Sequence, residues 1–201
     1  GLSGEIWLDQ PPMDRMVIAT PFADDPHAFY YNQKINCMPA RGRVRLGADD
    51  HDFTPDCAFA VLDWGRGVWT YDNVWYWGSA SGLVEGRPIG FNIGYGFGET
   101  SAASENMLFV DGRAHKLDQI AFHMPSGAPD SDRWHFTSND GRFEMHFVPA
   151  VNRWAKVEAG MVKTEQDQVF GYFSGQVILD DGALLAVRGL PGFAEKVWNR
   201  W

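Results

Sequence analysis

The densest group of chemically capable side chains in this sequence runs Leu62-Asp63-Trp64-Gly65-Arg66-Gly67-Val68-Trp69-Thr70-Tyr71 and resumes at Trp75-Tyr76-Trp77-Gly78-Ser79. Indole and phenol rings make walls for apolar or ring-bearing molecules, and their faces steady positive charge. Strand alternation places Trp69 with Tyr71 on one face and Trp75 with Trp77 on one face. If both faces point inward, the rings form a narrow slot with Asp63 and Arg66 at its mouth. Two readings of that pair stay open. Asp63 and Arg66 can bond each other and pin the loop, or they can contact a ligand, with the Asp63 carboxyl serving as a general acid beside the rings.

A second group runs Gly90-Phe91-Asn92-Ile93-Gly94-Tyr95-Gly96-Phe97-Gly98-Glu99, followed by Ser104-Glu105-Asn106. Alternation puts Asn92 on one face with Gly94, Gly96 and Gly98, leaving room for a ligand or a close-packed strand. Glu105 and Asn106 open the next strand and are expected to face Asn92 across the sheet. A carboxylate and two amides on an apolar wall are costly to bury unless they bond one another or a ligand, so a structural network and a binding site are equal readings. Glu105 is the second candidate general acid. The glycine spacing resembles a nucleotide loop only superficially, because no strand–loop–helix context and no following Lys-Ser/Thr accompany it.

The remaining reactive residue types give weaker patterns. His115, His123, His135 and His146 fall on separate strands without the short spacing of a metal site, and neither a metal nor another cofactor is expected. Ser104 and Ser174 lack a nucleophile elbow. Near the C-terminus, Glu195 and Arg200 are expected to form a surface or barrel-end ion pair.

These residues must be positioned by strands. Asp111-Gly112, Asn139-Asp140-Gly141 and Asp181-Gly182 each lie between strand-like segments, and such dipeptides turn hairpins. In the arm after Gly141, Phe143, Met145 and Phe147 alternate with Glu144, His146 and Val148. Further strands are expected at 15–20, 27–36, 42–46, 68–71 and 75–78. No amphipathic helix emerges beyond a turn or two at 55–62. The pattern predicts an all-β protein, an antiparallel meander closing into a lipocalin-like barrel with extra strands on its N-terminal side. Residues 1–50 are read as N-terminal strands, the remainder of a preceding barrel in one view, and residues 51–201 as the barrel domain.

Composition bounds the function. Nine Trp, fourteen Phe and six Tyr exceed what a core of this size needs, which favours an aromatic pocket. A net charge of −9 removes the electrostatic basis for binding nucleic acid. No apolar run is long enough for a membrane-spanning helix, and no signal-peptide pattern opens the chain, so a cytoplasmic location is expected. Cys37 and Cys57 fit no ligand spacing and are expected to be two buried thiols. Gly1 is expected to be a processed or truncated end.

Several motifs together resemble a known family. Tyr30-Tyr31-Asn32 with Lys34, Asn36 and Cys37, Leu62 to Gly67, Trp75-Tyr76-Trp77-Gly78, Gly90 to Gly94 with Glu105-Asn106, and His115-Lys116-Leu117 resemble the bacterial domain-of-unknown-function family numbered 2804 over essentially the whole chain. No activity is assigned to that family, so the resemblance implies none. Its members are longer before the region matching Gly1, which implies that this chain corresponds to their C-terminal part. The Asp-Trp-Gly and Trp-x-Trp patterns are also similar to those of the carotenoid hydratase and tocopherol cyclase group, whose paired lipocalin-like barrels bind polyenes or prenyl chains.

Three functions are therefore expected to compete. One is a binding module for a hydrophobic or aromatic small molecule, walled by Trp69, Tyr71, Trp75 and Trp77 with Arg66, Asn92 and Asn106 adding polar contacts. Another is a hydratase, cyclase or isomerase using Asp63 or Glu105 to protonate its substrate. The last is a structural half of a longer protein. If a preceding barrel is missing, an apolar flank should be exposed, and a homo-oligomer would cover it.

Overall fold

A computed structural model describes residues 1–201. It contains fourteen strands in two antiparallel sheets and no helix. The first sheet holds β1 (Leu2–Leu8), β2 (Met16–Phe22), β3 (Asp25–Leu46), β4 (Asp49–Phe53) and β5 (Phe59–Val68), all paired to β3. The second holds β6 (Asp72–Val84), β7 (Arg87–Tyr95), β8 (Met107–Val110), β9 (Arg113–Lys116), β10 (Ile120–His123), β11 (Trp134–Ser138), β12 (Phe143–Ala159), β13 (Val162–Ile178) and β14 (Leu184–Arg200). Its order is β10-β11-β12-β13-β14-β6-β7-β8-β9, two meanders joined where β14 pairs with β6. The division between the sheets falls between Val68 and Asp72.

The turn chemistry acts as its residues dictate. Asp111 and Gly112 both adopt positive φ (50° and 78°), the conformation a tight hairpin requires, and they join β8 to β9. Gly141 and Gly182 likewise take positive φ at the β11–β12 and β13–β14 connections. The segments at 27–36 and 42–46 are one strand rather than two. Cys37, at φ 57°, bends β3 where its pairing with β5 shifts register between Ile35 and Met38. Residues 55–57 make a turn that leads into β5, not a helix.

The nine-stranded sheet curls into a half-barrel. Phe122 on β10 meets Tyr95 on β7 edge to face, with ring centroids 5.4 Å apart, so the β10 edge of the sheet curls back toward β7. Its concave side is a filled core in which Phe91, Trp134, Phe136, Phe143, Phe147 and Phe173 are completely or almost completely buried. Phe91 meets Phe143 and Phe173 at near right angles, 5.1 and 4.9 Å away. The interior of the curl is therefore packing, not a binding space.

β3 crosses the outside of this half-barrel and is fastened there. The Asn36 side-chain amide donates to Ser79 Oγ at 2.8 Å and to the Phe91 carbonyl at 2.9 Å, and the Cys37 backbone N–H donates to Ser81 Oγ at 3.0 Å. Cys37 is buried as expected and its thiol is pushed up to about 12 by burial, whereas Cys57 is exposed; both are free. No helix is long and apolar enough to cross a membrane.

Opposite faces of one strand give a direct test of this core. Phe173 is fully buried and its neighbour Tyr172 is half exposed. Phe173→Ala should lower unfolding free energy by about 3–5 kcal/mol in a urea titration. Tyr172→Ala should stay within about 0.5 kcal/mol of the parent.

Candidate functional site

Alternation decides which side chains leave the core. On β6, β7 and β14, Ala80, Phe91, Ile93 and Ala194 point into the half-barrel. Their neighbours Trp75, Trp77, Ser79, Asn92 and Glu195 consequently point outward, toward the first sheet. The expected aromatic slot thus forms on the convex side of the curled sheet, not the concave one. It is roofed by β3 and β5.

β3 presents Tyr30, Asn32 and Lys34 on a single face, and β5 answers with Gly67, Gly65 and Asp63 in register. The glycine opposite Asn32 has a steric reason: a Cβ at Gly65 would lie 2.4 Å from the Tyr30 ring. The resulting cavity has a volume of about 200 Å³. Tyr30 and Lys34 enter it from β3, Asp63 from β5, Trp75 and Trp77 from β6 and Glu195 from β14; Trp69, Phe97, Glu105 and Trp201 come from the flanking segments.

The rings stand as walls rather than as a stack. Tyr30 lies at 82° to Trp69 and at 89° to Phe97, and Trp75 lies at 75° to Phe97. Burial first, and then the Asp63 and Glu105 carboxylates, push the Tyr30 phenol above its ordinary value; Asn32 opposes them.

Polar groups between the sheets are tied together. Lys34, 4% exposed, holds Asp63 at 2.6 Å while its ammonium sits 4.0 Å from the centre of the Trp77 ring. The Trp77 indole N–H donates to Asn92 Oδ1 at 2.7 Å, and the Asn92 amide donates to the Glu105 carbonyl at 2.9 Å. The Asn32 amide donates to the Glu105 carboxylate at 3.1 Å, but Asn32 Oδ1 is buried with no partner. Asn106 accepts the Gly94 N–H at 2.7 Å and donates to the Asp118 carbonyl at 2.8 Å. Glu195 accepts from the Trp75 indole at 3.1 Å and from Gln168 at 2.8 Å. Burial pushes its carboxyl above the usual range, against the pull of those hydrogen bonds and of Lys34.

Five of the residues singled out from sequence meet here: Asp63, Trp69, Trp75, Trp77 and Glu105. Asn92 and Asn106 are close by but serve as struts, each with both amide atoms engaged by protein groups. Arg66 and Tyr71 lie outside the cavity. Arg66 is three residues from Asp63 on one strand, which places it on the opposite face, so Lys34 takes the expected arginine's role. Tyr71 follows the end of β5 and donates its hydroxyl to the Met161 carbonyl at 2.8 Å. Glu195 forms no pair with Arg200; it is buried against the aromatic wall.

Lys34, Tyr30, Asn32 and Glu195 are thus the residues that sequence patterns passed over as site groups. The Tyr30-x-Asn32-x-Lys34 alternation was the available signal. His123, His135 and His146, although on separate strands, stack across β10, β11 and β12 with centroids 5.5 and 4.6 Å apart. No group of three His, Cys, Asp or Glu side chains converges as metal ligands.

A larger open cleft of about 810 Å³ separates the first sheet from the outer faces of β12–β14. Ile6, Leu8, Phe53, Val151, Phe170 and Phe193 give it a mainly apolar lining, and Leu2, Ile6 and Trp7 of β1 are exposed beside it.

Glu195 supplies a pH signature. A carboxyl whose pKa is raised by folding binds more protons folded than unfolded, so its contribution to stability falls as pH rises from the ordinary glutamate range through the raised value. Urea titrations between pH 4 and 8 should show that decline in the parent and a flatter profile in Glu195→Gln. Parallel profiles would contradict the assignment.

Comparison with known proteins adds the family. Kievitone hydratase from Nectria haematococca is similar at 9% identity and a TM-score of 0.45, over 91% of this chain and 58% of that one. CghA with Sch210972 is similar at 8% identity and a TM-score of 0.42, over 99% of this chain and 61% of that one. The chain therefore spans about three fifths of the length of these structures. No curated protein matches the sequence. The domain of unknown function DUF2804 matches residues 1–201, and the chain belongs to that family.

Proposed function

We propose that this chain binds a small hydrophobic or aromatic molecule in the cavity between its two sheets. One observation carries the reading: six aromatic residues from five segments line a partly open space of about 200 Å³ that they leave unfilled. The adjoining half-barrel core, richer still in rings, is packed solid. The larger apolar cleft lacks this convergence of rings with buried carboxyl and ammonium groups.

A second reading, proton transfer to the bound molecule, is favoured by the state of Glu195. Its carboxyl is buried, shifted toward the protonated form and placed on the cavity wall. A general acid needs that combination, and the neighbouring ring faces would steady a developing carbocation as in a hydratase, cyclase or isomerase reaction. Asp63 is engaged by Lys34 and acts as an acceptor, so it fits the acid role less well than Glu195.

Tryptophan fluorescence titrated with indole, p-cresol and 2-naphthol tests binding. Saturable quenching is expected, weakened about tenfold by Trp69→Ala and unchanged by Tyr71→Ala, which lies outside the cavity. Absence of saturation with these probes and with cationic ones alike, or equal quenching in Trp69→Ala, would overturn the proposal. Turnover of an alkene probe that survives Glu195→Gln would remove the acid role.

A further inference from the structure

The same cavity carries information about the charge of its occupant. Three carboxyl groups line it, from Asp63, Glu105 and Glu195, against a single ammonium, that of Lys34. Lys34 is already matched by Asp63 at 2.6 Å. Glu105 takes a hydrogen bond from Asn32, and Glu195 takes its bonds from Trp75, Gln168 and Gln166, all neutral donors. Glu105 is half-buried and faces no matching cation, so the lining carries more acid than base and attracts a positive group.

The walls are suited to the same charge. Aromatic rings attract cations over those parts of their faces that no neighbouring ring covers. Tyr30, Trp69, Phe97 and Trp75 meet at 75° to 89° in three of their contacts. The protein itself places a cation on one wall, the Lys34 ammonium 4.0 Å from the centre of the Trp77 ring.

An unused acceptor points the same way. Asn32 is 1% exposed and sits between Tyr30 and Lys34 on the cavity-facing side of β3. Its amide nitrogen is engaged by Glu105, but Oδ1 has no partner. A buried acceptor without a donor is uncommon in a folded protein, and this one lies just behind the cavity wall, beside the Glu105 carboxylate that lines it.

We infer that the occupant is a small organic cation, an alkylated ammonium, held by the ring box and the Glu105 and Glu195 carboxyl groups. This rests on the cavity being a ligand site and specifies what that site selects. Choline and 3,3-dimethylbutan-1-ol make the test, because they share shape and hydroxyl and differ in charge.

Isothermal titration of the whole chain should give choline at least about a tenfold lower Kd than the neutral alcohol. Glu105→Gln, which keeps an acceptor for Asn32, should weaken choline severalfold and leave the alcohol unchanged, with an unaltered circular dichroism spectrum. Trp69→Ala should weaken choline as well. Equal affinities for the two compounds, or neutral aromatic probes that bind while choline does not, would overturn the cation inference and leave the small-molecule site standing. Failure of choline, the alcohol and the aromatic probes alike would overturn both.

Discussion

Covering one sheet with another forces every polar group between them to find a partner, and the rest of this molecule follows from that constraint. Alone, the half-barrel would expose Ser79, Asn92 and Glu195 to water at little cost. β3 removes the water, and the hydrogen bonds of Asn36 to Ser79 and the Phe91 carbonyl replace it. Lys34 brings an ammonium into the same layer and can do so because Asp63 stands opposite in register while the Trp77 face lies beneath it. The layer is nearly, but not completely, satisfied. It falls short at two amide oxygens of β3, Asn32 Oδ1 and Asn36 Oδ1, which have no partner.

Much of the fold could be read directly from the chain. Asp-Gly pairs mark hairpins by local backbone preference, which needs no knowledge of distant residues, and those at 111–112, 140–141 and 181–182 turn hairpins here. Alternation also showed which side chains share a face. It could not show which face is the core, because both sides of β6 are aromatic: Tyr76 joins Tyr95 and Phe122 on the concave side, while Trp75 and Trp77 point the other way. Trp69, Trp75 and Trp77 come together on the convex side of the sheet, and Tyr71 stays apart from them.

Partners distant in sequence were illegible for a different reason. Trp75 and Glu195 are 120 positions apart, and their contact depends on the β14–β6 pairing that joins the two meanders. Lys34 finds Asp63 only because β5 returns alongside β3. The family match adds membership without chemistry, so the roles argued for these groups stand on their surroundings in this chain.

The division after Val68 has an architectural consequence. The half-barrel keeps its aromatic interior entirely within residues 72–201, whereas the cavity takes Tyr30, Lys34 and Asp63 from the first sheet and Trp75, Trp77 and Glu195 from the second. Neither sheet owns the site. A fragment beginning at Asp72 would retain the means to pack yet lose Tyr30, Lys34, Asp63 and Trp69 from the cavity lining, so the cavity and the stable core make their demands on different faces of the same strands.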